Sequence, residues 1–248
     1  MIFVIARHEF MSLFRTPLGW IILALSQFLL ALVYYIAINQ YLENQHQAMP
    51  VRGVSNGVAS VLFGASLYIL MIVVPVLAMR AISKERHQGT LSLLMAAPIS
   101  ETSLLFGKFI GVISYLSILL ISMLIMSLTL GFVSSLDYGV LLSALIGMLL
   151  VTITFMAIAF YIASLTSHPA LAIAGGTCAL LFLFFLEFMA LTRLNWLDQT
   201  LTWLSLWAHS ENFLRGTLNS SDILFYLIIS SATLYLTLKR LKKLRKNS

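Results

Sequence analysis

Apolar residues run through the chain in long stretches, and polar ones are confined to short islands between them. Six stretches, approximately 18–38, 58–79, 109–133, 138–165, 169–191 and 222–238, approach or exceed the roughly 18 to 20 residues a helix needs to cross a bilayer. In hydrocarbon every backbone amide must be paired inside its own segment or in a closed barrel. Continuous apolarity without two-residue alternation selects helices. The pattern therefore predicts an all-α membrane protein with six transmembrane helices in one transmembrane domain, 1–248.

Three islands carry structure of their own. In "MIFVIARHEFMSLFRTP" a helical wheel puts Phe3, Ala6, Phe10, Leu13 and Phe14 on one side and His8, Ser12 and Arg15 on the other, predicting an interfacial helix over 1–16 that Pro17 ends. Anchoring and contact with a cytosolic partner are both open roles for it. In "NWLDQTLTWLSLWA", Trp196, Trp203 and Trp207 share a stripe with Leu197, Leu201 and Leu204, while Asn195, Asp198, Thr202 and Ser205 oppose them. This predicts one amphipathic helix over 195–208 inside a loop over 192–221, either a re-entrant lid or an outer-leaflet anchor.

The third island, 80–108, holds "ISKERHQGTLSLLMAAPISE". The second span should continue as a stalk through Arg86 until Gly89 breaks it. Thr90 is a fitting N-cap, Leu91, Leu94 and Met95 recur at helical spacing, and Pro98 stops the short helix. Ser100 with Glu101 then starts the helix that carries Gly107 and Lys108 into the third span. A connector that only reverses the chain needs a few polar residues. The apolar face held beyond the bilayer asks for a cover, either the protein's own surface or another molecule.

Composition agrees, with 60% hydrophobic and 10% charged residues and a mean hydropathy of +0.97. Charge adds orientation. Of fifteen lysines and arginines, twelve fall before the first span, between the second and third, or in the tail 239–248, and only Arg52, Arg193 and Arg215 lie on the other side. The cation bias places both termini and the 80–108 island in the cytoplasm, predicting a multi-pass protein of the bacterial inner membrane. The basic excess belongs to the membrane surface, where each cation is worth about 1 kcal/mol against anionic lipid, and no nucleic-acid partner is expected. Cys178, the lone cysteine, supports neither a disulfide nor a thiolate metal site.

The segment "SKERHQGTLSLLMAAPISETSLLFGKFIG" resembles the cytoplasmic loop of type-2 ABC exporter permeases. The matching positions are Glu85, Arg86, Gly89, Thr90, Leu91, Leu93, Leu94, Pro98, Gly107 and Lys108. Ser92 departs from the glutamate common there. The end of the chain is similar to permeases of the gliding-motility and nitrous-oxide-reductase maturation branch through His209, Phe213, Gly216, Asp222 and Tyr226.

The resemblance implies a permease that dimerises with a second copy of the permease and is driven by a cytosolic ABC ATPase subunit docked on the 82–101 loop. Lys84, Glu85, Arg86, Gly89, Thr90, Leu91, Leu94, Met95 and Pro98 would make that coupling element. ATP and magnesium would sit on the partner, none on this chain. Consistent with this, no G-x-x-x-x-G-K-[ST] phosphate loop occurs. Membrane lipid and periplasmic accessory proteins complete the expected partners.

Glu187, the one acid well within a span, together with Gly175 and Gly176, is the candidate for a translocation path or dimer interface, against pairing with Arg193 and packing within one subunit. The alternatives are a secondary transporter, disfavoured by the scarcity of mid-membrane ionisable groups, and an intramembrane protease, disfavoured because no histidine lies within a span to serve the Gly64-Ala65-Ser66 serine.

Overall fold

The computed structural model describes residues 1–46, 55–89, 100–132, 136–189 and 195–247, with side chains for all of these except 44–46, 55–56, 187–189, 195–199 and 246–247. Every regular element among the described residues is helical: α1 (Ile2–Phe14), α2 (Pro17–His46), α3 (Ser60–Ala78), α4 (Glu101–Thr129), α5 (Tyr138–Leu165), α6 (Pro169–Met189), α7 (Asn195–Leu204), α8 (Leu206–Leu214) and α9 (Ser220–Asn247). Six helical stretches are long and apolar enough to cross a membrane, matching the hydropathy pattern.

Local chemistry sets the boundaries. Pro17 opens α2, where its missing N–H costs nothing. Gly19 permits the corner between α1 and α2, because a Cβ there would lie 2.1 Å from the Leu13 carbonyl oxygen. Ser100 caps α4 by accepting from the Ser103 amide, as its position before Glu101 predicts. Asp137 caps α5 through the amides of Gly139 and Val140. α3 contains Pro75 and runs without interruption through a π-helical segment, Met79–Lys84, and a last turn, Glu85–His87. Gly89, at φ +74°, ends this stalk in the left-handed conformation that glycine adopts at least cost.

The spans alternate in direction, so both termini lie at one end, here the terminal face, and α7 and α8 lie at the other, the far face. α5 is the hub, packing against α3, α4, α6, α8 and α9. Of its most apolar stretch 67% is buried, against 17% for α2, which presents Trp20, Leu25, Phe28 and Tyr35 outward. Outward apolar faces suit a lipid surround. Thr154 donates to the carbonyls of Leu150 and, on α9, Tyr226, so a polar group in the core is satisfied across two helices.

Two elements depart from their sequence pattern. The 195–208 segment is two helices, because Ser205 takes extended backbone angles and turns its hydroxyl to the Ala208 amide as the N-cap of α8. Trp203 is left 65% exposed on α7, whereas Trp207 packs on Phe184 and Tyr68. The basic tail is no separate appendage either: α9 continues through it, burying Leu241 and pairing Arg245 with Glu101 at 2.7 Å.

Candidate functional site at the terminal face

The stalk that ends α3 is clamped to three other helices. Toward α4, the Glu85 carboxylate takes a hydrogen bond of 2.5 Å from the Lys108 ammonium, which also reaches Glu9 of α1 at 3.4 Å. Lys108 and Glu9 are almost wholly buried, with side chains 5% and 8% exposed. One cation held between two carboxylates from different helices is a costly arrangement unless all three are in place.

Glycines bring α1 close enough to reach it. A Cβ on Gly107 would stand 2.7 Å from the Cβ of Ile5, and one on Gly111 would stand 2.7 Å from the Ala6 carbonyl oxygen. These two glycines, four residues apart, form the groove on α4 in which α1 lies. Lys108, beside the groove, meets the acid that α1 delivers. The buried line of α1 is Ala6, Glu9 and Leu13, and Phe3 is 83% exposed. The helix is thus rotated from the face its wheel selects, because the pull of Lys108 and the glycine groove turns Glu9 inward.

Two arginines on the stalk hold the ends of other helices. Arg80 donates through Nη2 to the Ser12 carbonyl at 2.7 Å and through Nη1 to the Thr16 hydroxyl. Arg86 donates through Nη1 to the Ser164 carbonyl at 3.1 Å, and the Ser83 hydroxyl to the Thr166 carbonyl at 3.2 Å. Cations placed on carbonyls at the carboxyl-terminal ends of α1 and α5 are favoured by the dipoles of those helices. α1, α4 and α5 are therefore fastened to one rod.

Of the residues expected to make a coupling element, Glu85 and Arg86 are thus engaged inside the chain, Lys84 is exposed, and Gly89 ends the stalk. Thr90, Leu91, Leu94, Met95 and Pro98 lie outside the described residues. So does the side chain of Glu187. Gly176 lies against Pro75, a Cβ there standing 3.0 Å from the proline ring, and Gly175 faces Ile162. Both glycines make contacts within the chain. Sequence reasoning missed Glu9, although the only signal was available: it is the single acid before Glu43, in register with Ala6 and Leu13.

The far face has its own polar knot. His209 Nδ1 lies 2.6 Å from Asp222 Oδ1, His209 Nε2 lies 2.9 Å from the Trp203 carbonyl, and Asn212 donates to Asp222 Oδ2 at 2.9 Å. Phe225 stacks on the imidazole at 3.9 Å, and the Tyr226 hydroxyl donates to the Leu206 carbonyl at 2.7 Å. Gly216, at φ +86°, closes α8, with its amide on the Phe213 carbonyl and that of Thr217 on the Asn212 carbonyl. A Cβ on Gly216 would crowd Val140 at 2.8 Å. His209, Phe213, Gly216, Asp222 and Tyr226, scattered in sequence, thus belong to one assembly that straps α7 and α8 onto α5 and α9. Both imidazole nitrogens are occupied, so this histidine is a strut and not a general base.

Among the described residues no group of three or more histidine, cysteine, aspartate or glutamate side chains is placed to hold a metal ion. A search of curated proteins finds no match to the chain. A family model, the ABC-2 family transporter protein, matches residues 3–246. With six apolar helices and a match over nearly its whole length, the chain belongs to the ABC-2 transporter family, as a multi-pass membrane permease subunit.

Proposed function

We propose that this permease is an exporter subunit that works as a dimer, each copy driven by a separate cytosolic ATPase seated on the 82–101 loop, with the terminal face in the cytoplasm. Membership of the family implies an ATPase partner in the transporter. The observation that carries the docking site is the clamped stalk. A loop mounted on a rod that grips α1, α4 and α5 together is placed to move three helices at once.

In this mechanism ATP and magnesium are held by the ATPase. Closure of two ATPases draws the loops together, and each stalk carries the displacement into the bundle as a rigid-body tilt that opens a path toward the far face. Glu85 and Arg86 serve as anchors inside the membrane subunit. The contacts to the ATPase then fall to the exposed Lys84 and to the apolar positions Leu91, Leu94 and Met95. Anionic lipid beside the basic end of α9 is the expected surround.

The far-face assembly supports the gliding-motility and nitrous-oxide-reductase maturation branch, since the five residues of that pattern converge. In that branch accessory proteins on the outer side are the expected further partners. Leu94→Asp tests the docking site. A charge on the buried face of a docked helix should abolish co-purification with the ATPase, a loss of at least about 2 kcal/mol of binding, while the chain still inserts. Undiminished co-purification with the Leu94→Asp chain contradicts the proposal.

A further inference from the structure

The knot and the clamp leave one large feature without a role. At the far face the first two turns of α3 and the length of α8 stand apart around an open cavity of about 770 Å³, lined by Ser60, Val61, Gly64, Tyr68, Trp207 and Leu214, with Glu211 and Arg215 also on its wall. Its size is that of a pocket for a small molecule or a lipid segment. Elsewhere neighbouring helices interlock, as where Gly147 admits Phe213 so closely that a Cβ would lie 2.4 Å away. Here a Cβ on Gly64 would meet only the Leu214 side chain, at 3.9 Å.

The lining has two chemistries. Val61 and Tyr68, each 46% exposed, together with Trp207 and Leu214, offer apolar and aromatic surface. On α8, one turn apart, Glu211 and Arg215 form an ion pair of 2.6 Å whose side chains are 37% and 70% exposed. Such an exposed pair is weakly held and opens at little cost. A ligand carrying both a cation and an anion satisfies the two charges together, its anion on the guanidinium and its cation on the carboxylate.

We propose that this cavity binds a zwitterionic phospholipid, its phosphate on Arg215, its ammonium on Glu211 and an acyl chain along Val61, Tyr68 and Trp207. Aromatic rings and charges at the end of a span belong at headgroup depth. A second copy is a poorer occupant. A second copy would have to supply an apolar projection that also carries a cation and an anion at the spacing of Glu211 and Arg215, whereas a zwitterionic headgroup on an acyl chain combines these in one molecule. The inference takes from the proposed function only that the far face meets the outer leaflet, and its test uses no ATPase, so either can fail alone.

The full chain is purified in detergent, exposed to an equimolar mixture of phosphatidylethanolamine and phosphatidylglycerol, and examined by native mass spectrometry. One phosphatidylethanolamine per chain is expected to be retained, at least about tenfold over phosphatidylglycerol, the selectivity that one charge-assisted hydrogen bond to Glu211 supplies. Gly64→Leu, which projects a branched side chain into the cavity beside Leu214, should lower retention, and Gly64→Ala should keep it. Arg215→Glu, at a side chain 70% exposed, should lower retention about tenfold or more, and it decides the matter even if Gly64→Leu fails to fold. Retention equal for the two lipids, or unchanged by Arg215→Glu, overturns the proposal. So does a retained mass that is a second copy of the chain and no lipid.

Discussion

Replacing Lys108 with methionine is expected to destabilise the protein by about 3–5 kcal/mol, the range for a buried ion pair deprived of one partner. The side chain is nearly isosteric, so packing changes little. What changes is charge: the buried carboxylate of Glu9 and the partly buried carboxylate of Glu85 then face each other without the ammonium they share. Two results distinguish this account from simple core damage. Adding Glu9→Gln and Glu85→Gln to Lys108→Met should restore most of the lost stability, because the repulsion goes with the charges. The restored triple variant should still hydrolyse ATP with its ATPase yet transport poorly, because α4 is no longer fastened to the stalk by Lys108 and α1 is held there, among these contacts, by Arg80 alone. Thermal unfolding in detergent and transport in vesicles read the two halves.

The second large effect is expected at His209. His209→Ala removes the Nδ1 contact to Asp222 and leaves the Trp203 carbonyl without its donor, while Asp222 keeps only Asn212 among these partners. A loss of about 3 kcal/mol follows from breaking a buried charge-assisted pair. Because the knot straps α7 and α8 to the bundle, the change should also expose the 192–221 region to protease while the terminal face stays intact. Asp222→Asn should be much milder than Asp222→Ala. Its amide donates to His209 Nδ1, its carbonyl still accepts from Asn212, and the ring keeps its Nε2–H on Trp203. The remaining loss is the charge assistance of the His209 contact together with the favourable interaction of an anion with the first turn of α9, the latter about 0.3–1 kcal/mol.

The spans and several of their ends were legible in the sequence because they follow from local chemistry. A bilayer requires uninterrupted apolar length, and Pro17, Gly89 and Ser100 act within a turn of themselves. What was hidden depends on distant partners. Glu9 looks like one more polar residue of an interfacial helix until α4 supplies Lys108 and the Gly107–Gly111 groove, about a hundred residues on. Ser205 could have stayed inside a single helix. Its hydroxyl also reaches the Phe184 carbonyl at 3.4 Å, a contact that only the packing of α8 against α6 supplies. The same holds for the charges of the loop. Glu85 and Arg86 read as surface groups beside a polar turn, and only the packed bundle shows them turned toward Lys108 and Ser164. In α9 the leucines at 241 and 244 keep the helical spacing through the basic run, so its continuation could have been read from periodicity.

The clamp also gives a physical reason for residue types in the loop pattern. Glu85 and Lys108 pair across two spans, Gly89 supplies a positive φ, and Gly107 makes room for α1. None of these four needs to touch an ATPase to be required by one. In the proposed mechanism they hold the rod that would present the contact surface, so changes in them should impair transport by loosening the rod, whereas changes at Leu91, Leu94 or Met95 should weaken docking itself.

Docking on the 82–101 loop is tested most directly by placing a photo-crosslinking amino acid at position 91 or 95 of the full chain and irradiating intact cells. The account predicts one major adduct, between this permease and a polypeptide carrying a nucleotide-binding phosphate loop, lost when Leu94→Asp is added. An adduct found only within the chain or to lipid, while the ATPase still co-purifies, would contradict it.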